Sequence, residues 1–274
     1  MTPDVNLGDA LSTVRADQPL VNCLTNAVTV NEVANVTLNW GGLPVMSDDE
    51  REVGDMVAIA DGCLLNMGTI SERGEETMVT AGRAANEHGV PVVVDPVGVG
   101  ATPTRSRVAD RLLTDIDVSV VNGNYGEITA LAGDDADVRG VESVGEYADI
   151  AASATAVAEA TGAVVVASGE VDIVATEERA YSVDVGDEML ATVVGTGCML
   201  GVTLAVFAAA MDDDEAAALA GTTAFGLAGE AAADGAYGEY AGPASFETAF
   251  RDAVADFDGG DADAGDRISS VATE

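Results

Sequence analysis

The sequence predicts an α/β protein with a largely parallel central sheet, helices on its flanks and a late antiparallel hairpin. Three observations carry this. Short apolar runs bounded by turn residues alternate with segments of helical periodicity along most of the chain, the signature of successive βαβ units. Runs such as Val92-Val93-Val94 are apolar at every position, as in strands buried on both faces. Finally, 274 residues with 48% hydrophobic content can bury one substantial core.

In chain order, strands are expected at Leu20–Leu24, Leu43–Met46, Cys63–Met67, Val90–Asp95, Val118–Val121 and Ala163–Ala167. Val171–Ala175 and Ala180–Val185 form the expected hairpin. Helical spacing points to Val30–Trp40, Gly54–Ala60, Glu72–His88, Arg105–Thr114, Tyr125–Ala132 and Val144–Thr161, followed by three helices between Cys198 and Phe257. Thr29-Val30-Asn31-Glu32 fits a capping box for the first of these. The alanine content of the last three suits close helix packing. No repeat is visible. Residues 1–257 read as a single domain and 258–274 as an acidic tail, with the glycine-rich stretch Asp258 to Asp266 expected to be mobile.

Composition excludes several chemistries. Acidic residues number 48 against 11 basic ones, for a formal charge of −37. Every basic residue is arginine, so a Walker GK[ST] loop, a VAIK strand and a lysine Schiff base are all ruled out. The single histidine, His88, stands where a helix should end, which leaves Ser-His-Asp and Cys-His catalysis without support. Cys23, Cys63 and Cys198 are odd in number and lack a CxxC pair, against a disulfide framework or a zinc site. A nucleic-acid surface cannot be assembled from so few cations. The acids are dispersed, as in proteins of salt-accumulating cells, where about 1 M salt cuts the Debye length to roughly 3 Å. No charged-then-apolar leader and no long apolar span is present, so a soluble cytoplasmic protein without a membrane segment is expected.

Three motifs suggest phosphoryl transfer. In Val193-Val194-Gly195-Thr196-Gly197-Cys198 a glycine-rich turn enters an apolar helix. Free N–H groups at such a helix start hold anions, and Cys198 lies where the helix dipole, about half a positive charge, would favour its thiolate. Val92-Val93-Val94-Asp95 places a carboxylate at the C-terminal edge of a buried strand, the edge at which open parallel sheets bind ligands. Asn124 and Glu127, three apart after another strand, can face one point and offer the oxygen ligands a magnesium ion prefers. A tight turn with a packed cysteine, a turn asparagine and a first-turn acid would explain each motif structurally.

Taken together these segments resemble the hydroxyethylthiazole kinases of the ribokinase-like superfamily. The resemblance runs from Pro19-Leu20-Val21-Asn22-Cys23-Leu24-Thr25-Asn26 through Asp95-Pro96-Val97-Gly98-Val99-Gly100-Ala101, Gly123-Asn124-Tyr125-Gly126-Glu127-Ile128 and Ser168-Gly169-Glu170-Val171-Asp172 to Gly195-Thr196-Gly197-Cys198. It implies a ribokinase-like fold and ATP-dependent phosphorylation of the hydroxyethyl group of 4-methyl-5-(2-hydroxyethyl)thiazole for thiamine salvage. It further implies a homotrimer with sites between subunits. Cys198 would be the catalytic residue, at a place where superfamily relatives usually carry Asp. Asn26, Met46, Gly68 and Gly195 would line the thiazole pocket. Asn122, Asn124, Ser168, Gly195, Thr196 and Gly197 would contact nucleotide, and Asp95 and Glu127 would hold or orient Mg2+. One departure stands out: many family members have an arginine where this chain has Asn122, and Arg105 and Arg107 are the candidates to replace it. A related kinase for a hydroxymethylpyrimidine, or a non-catalytic thiazole- or nucleotide-binding protein, would share much of this pattern.

Overall fold

The computed structural model describes residues 5–133, 147–259 and 264–272. It begins with a helix the sequence reading omits, α1 (Leu7–Asp17), capped by Asn6, whose side chain accepts from Asp9 N. Then follow β1 (Leu20–Leu24), α2 (Val30–Trp40), β2 (Leu43–Val45), α3 (Val53–Val57), β3 (Gly62–Asn66), α4 (Glu72–His88), β4 (Val92–Asp95) and α5 (Pro103–Asp115). The chain continues through β5 (Val120–Asn124), α6 (Tyr125–Leu131), α7 (Tyr147–Thr161), β6 (Val164–Ser168), β7 (Asp172–Ala175) and β8 (Ala180–Val183). After a short 3-10 turn at Glu188–Thr192 come α8 (Thr196–Ala210), α9 (Asp214–Ala233), α10 (Pro243–Asp256) and β9 (Ile268–Val271). The start expected for α7, residues 144–146, lies outside the described residues.

The sheet runs β2-β1-β3-β4-β5-β6-β7-β8-β9. Pairings from β2 to β6 are parallel and those from β6 to β9 antiparallel. The hairpin is therefore the turning point of the sheet. Beyond Phe257, where the sequence reading ends the folded domain, Ile268–Val271 adds a ninth strand on β8. Ile268 is buried there and Val271 half-buried, with Ser269 and Ser270 exposed between them.

Strand alternation divides the interior into two layers. On one face Val21, Leu64, Val93 and Val120 pack beneath α1, α2, α8, α9 and α10; on the other Leu65, Val94 and Val121 pack beneath α3 to α7. α8 is buried from Cys198 through Ala208 and covers β3, β4 and β5. Such all-round apolarity is what a helix clasped between a sheet and other helices requires. Trp40 Nε1 donates to Thr203 Oγ1 at 2.8 Å and ties α2 to it. The same alternation turns Asn66 and Asp95, at the ends of β3 and β4, and Asn122, in the middle of β5, toward α8, with Asn66 directly opposite Asp95 in register.

His88 is the last residue of α4, its Nδ1 2.9 Å from Ala84 O, with Gly89 as the left-handed cap. Thr29 departs from expectation: it is the N-cap of α2 without a side-chain cap, because its Oγ1 accepts from Asn26 Nδ2 at 2.9 Å. A capping box exists instead at α6, between Asn124 and Glu127.

Candidate active site

Everything of chemical interest converges on the first turn of α8. Gly195 caps it with φ +95, and a Cβ there would fall 2.4 Å from Thr29 Cγ2, so only glycine fits. The first-turn N–H groups, which have no intrahelical acceptor, receive no side-chain cap. Nothing lies within 4 Å of where a Cβ on Gly197 would stand, so this side of the turn is open. Thr196 contributes only its backbone, since its hydroxyl donates to Leu190 O at 3.1 Å.

Behind that turn runs a relay of amides. Asn26 Nδ2 reaches Cys198 Sγ at 3.4 Å and Asn66 Oδ1 at 3.0 Å. Asn66 Nδ2 in turn donates to Asp95 Oδ2 at 2.5 Å. Gly201, one turn into α8, has no side chain to hold the helix off the sheet: a Cβ would stand 3.3 Å from both Asp95 Oδ2 and Asn122 Nδ2. Asn122 is buried under α8 and donates to Gly197 O at 3.1 Å, while its Oδ1 has no partner. It thus faces the helix because strand alternation turns it inward.

Burial raises the Cys198 thiol above its ordinary value, and the Asp95 charge raises it further; hydrogen bonds from Thr29, Asn66 and Asn26 act the other way. Desolvation and a neighbouring carboxylate thus act against the thiolate that the sequence reading expects from the helix dipole. Asp95 itself is pushed well up, first by burial and then by Glu127. Glu127 is raised by burial, opposed by the N–H groups of Gly98 and Asn124 that donate to its two oxygens at 2.6 and 2.9 Å and by the charge of Arg105. Asn124 Oδ1 accepts from Glu127 N at 2.9 Å, so the pair grip each other across the cap.

Asp95 and Glu127 are buried carboxyls close enough for the charge of Glu127 to raise Asp95, and carboxyl oxygens of this kind suit a hard cation. Among the described residues no group of three or more His, Cys, Asp or Glu could hold a metal alone.

The residues singled out in the sequence fall on one rim of the sheet. Gly68, just after β3, interlocks with Asn26, where a Cβ would lie 2.8 Å from the amide. Met46 follows β2 and packs against the core under α8. Ser168 ends β6 opposite Asn124 and donates to Gly123 O at 3.4 Å. Neither arginine suggested to replace the missing family cation is free. Arg107 pairs with both oxygens of Glu75 at 2.7 Å, and Arg105 donates to Met67 O, Gly68 O and Val97 O. Asn66 and Thr29 were missed by sequence reasoning, although a polar residue closing the run Cys63-Leu64-Leu65-Asn66 was a signal for the first.

The model of the hydroxyethylthiazole kinase family matches residues 11–258. A hydroxyethylthiazole kinase of Natronomonas pharaonis is 64% identical over 97% of this chain and 96% of its own, and one of Haloquadratum walsbyi is 64% identical over 91% and 86%. Among solved structures, the hydroxyethylthiazole kinase protein of Pyrococcus horikoshii matches with a TM-score of 0.85 at 34% identity, covering 97% of this chain and 99% of that one. A ribokinase-like superfamily protein of Enterococcus faecalis shares the fold at a TM-score of 0.62 and 12% identity, over 93% and 90% of the two chains. With a sheet, a glycine-capped helix and a cysteine arranged as described, the chain belongs to the hydroxyethylthiazole kinase family.

Proposed function

We propose that the protein transfers the γ-phosphoryl group of ATP to the hydroxyethyl group of 4-methyl-5-(2-hydroxyethyl)thiazole, in thiamine salvage. One observation carries the reading: the uncapped N-terminus of α8 presents its N–H groups on the same turn that holds Cys198, with Asp95 joined to it through Asn66 and Asn26. The N–H groups receive the charge that builds on the phosphoryl oxygens, already oriented and without reorganisation. The alcohol oxygen bonds to the γ-phosphorus as the bond to the bridging oxygen breaks and ADP leaves, and the alcohol proton passes to an oxygen of the transferred phosphoryl group and from there to solvent.

Cys198 meets the alcohol. Its raised pKa keeps it chiefly a neutral thiol near pH 7, so its sulfur orients the hydroxyl by accepting a hydrogen bond and removes little charge. A loose transition state tolerates such a weak acceptor, because positioning and charge neutralisation supply most of the rate. Asn26 and Gly68, with Met46 nearby, form the acceptor side; Asn124, Ser168 and the N–H groups of Gly195, Thr196 and Gly197 form the donor side. Asn122 acts through Gly197. Asp95 and Glu127 would hold Mg2+, which when bound neutralises the charge of the nucleotide phosphates.

We further infer a homotrimer with sites between subunits and a cytoplasmic, salt-adapted enzyme. Val28, Val30 and Val194, at the α2 start and beside the α8 turn, are exposed apolar residues that a neighbouring subunit would cover. No helix among the described residues is long and apolar enough to cross a membrane. The test is ADP release with a panel of small alcohols, ATP and magnesium in molar KCl. Turnover with the thiazole alcohol is expected; turnover confined to a hydroxymethylpyrimidine, or binding without turnover, would replace this reading.

A further inference from the structure

Arg105 breaks a local rule. It is the third residue of α5, in a first turn that contains no acid and where the helix dipole disfavours a cation. Thr102 Oγ1 accepts from its backbone N at 3.3 Å and Pro103 precedes it, so the helix start is well formed without any help from the side chain. Local rules are most often broken where function requires it.

The guanidinium turns back over the sheet edge and donates to three carbonyls in two loops. Nη1 reaches Met67 O at 2.9 Å and Val97 O at 2.5 Å, and Nη2 reaches Gly68 O at 2.9 Å. Met67 and Gly68 follow β3, and Gly68 is interlocked with Asn26 on the acceptor side. Val97 precedes Gly98, whose N–H holds Glu127 Oε1 at 2.6 Å. Gly98 has φ +73, and a Cβ there would stand 3.2 Å from Arg105 Cδ, so the loop passes closely over the side chain.

We propose that Arg105 is a positioning residue: its guanidinium clasps the acceptor loop to the loop that orients Glu127, fixing the distance between the two substrates. This rests on the kinase reading above. A planar group with donors on two nitrogens can span three carbonyls, whereas a lysine ammonium at the same place is a single point that cannot satisfy both loops. Arg105 is then no ligand of phosphate, despite being one of few cations near the site.

The experiment compares wild type, Arg105→Lys, Arg105→Ala and, as a control away from the site, Arg107→Ala, in molar KCl. Binding of the thiazole alcohol alone is measured by calorimetry, and kcat and KM for both substrates by ADP release. In Arg105→Lys the alcohol should bind about tenfold more weakly and kcat should fall about 10²-fold, the scale of a displacement of about 1 Å. Methylguanidine, and not methylamine, should restore part of the Arg105→Ala rate. Arg107→Ala should lower the melting temperature with both KM values unchanged. A rise in KM for ATP alone would make Arg105 a phosphate ligand, and a lowered melting temperature with wild-type constants in Arg105→Lys would make it merely structural; either overturns the proposal. Wild-type protein that binds no thiazole alcohol overturns the kinase reading itself, and this one with it.

Discussion

Asn26 Nδ2 stands 3.4 Å from Cys198 Sγ, joining residues 172 positions apart. The same nitrogen is within 2.9 Å of Thr29 Oγ1 and 3.0 Å of Asn66 Oδ1. An amide has two hydrogens to share among these three acceptors. The oxygens are the better acceptors and the closer ones, so Asn26 gives the sulfur only a share of its hydrogen bonding.

Cys198→Ala should lower turnover roughly tenfold to a hundredfold without abolishing it, since the thiol orients the alcohol while charge neutralisation supplies most of the rate. Cys198→Asp should keep or raise turnover, because a carboxylate remains a stronger acceptor than a raised thiol. Its melting temperature should fall, for it places a second acid beside Asp95. Rates and melting curves in high salt check both; an inactive Asp variant beside a fully active Ala variant would remove the thiol from the reaction.

Asp95→Asn should cut turnover by at least an order of magnitude while making the protein more stable. The folded state holds the Asp95 carboxyl at a raised pKa, so its contribution is favourable at low pH and is lost as pH rises from the unfolded value of about 3.9 through the folded one. Asparagine avoids that loss. Melting temperature should rise at pH 7 and hardly at all at pH 3. Glu127→Gln should also slow turnover but lower stability, since its amide nitrogen would face the N–H of Asn124 or Gly98. Differential scanning calorimetry and rates at limiting magnesium separate the two; wild-type rates in both variants would refute the cation site.

Glu75 predicts a pH dependence of opposite sign. Arg107 and then Arg111 hold its carboxyl down to about 2 against the effect of burial. Its stabilisation is present above the unfolded value and lost as pH falls through about 2. Glu75→Gln should therefore cost about 1–2 kcal/mol at pH 7, less than a fully buried pair because Arg107 is exposed, and the difference from wild type should close near pH 2. Urea unfolding across pH is the check.

A net charge of −37 on 274 residues should make the fold depend on salt. Melting temperature is expected to rise steeply between 0.1 M and 3 M KCl, with subunit dissociation at the low end by light scattering. A flat profile would show that the acids are spaced widely enough not to matter.

Strand–helix alternation was plain in the sequence because period-2 and period-3.6 patterns are local. α1 was overlooked although Asn6 before Leu7, Leu11 and Val14 is a capped apolar stripe. β9 was overlooked because one buried residue, Ile268, in a polar segment carries no period. The glycine turn, Asp95 and Cys198 were legible as residue types at the right ends of elements. What joins them was not: Asn66 matters through its register with Asp95, Asn122 through the face it shares with α8, and Arg105 through carbonyls whose positions only the folded loops define.

The strand order has a consequence for how such an enzyme can diversify. In the proposed reading, acceptor residues come from the loops after β1, β2 and β3, which lie side by side at one margin, while donor and cation residues stand at or after the ends of β4, β5 and β6. The two halves are joined along the β3–β4 pairing, and above it at the start of α8 and through a few amides and one guanidinium. On that reading the alcohol side can vary in the loops after β1, β2 and β3 while the nucleotide half is inherited unchanged, with the α8 turn and Cys198 common to both.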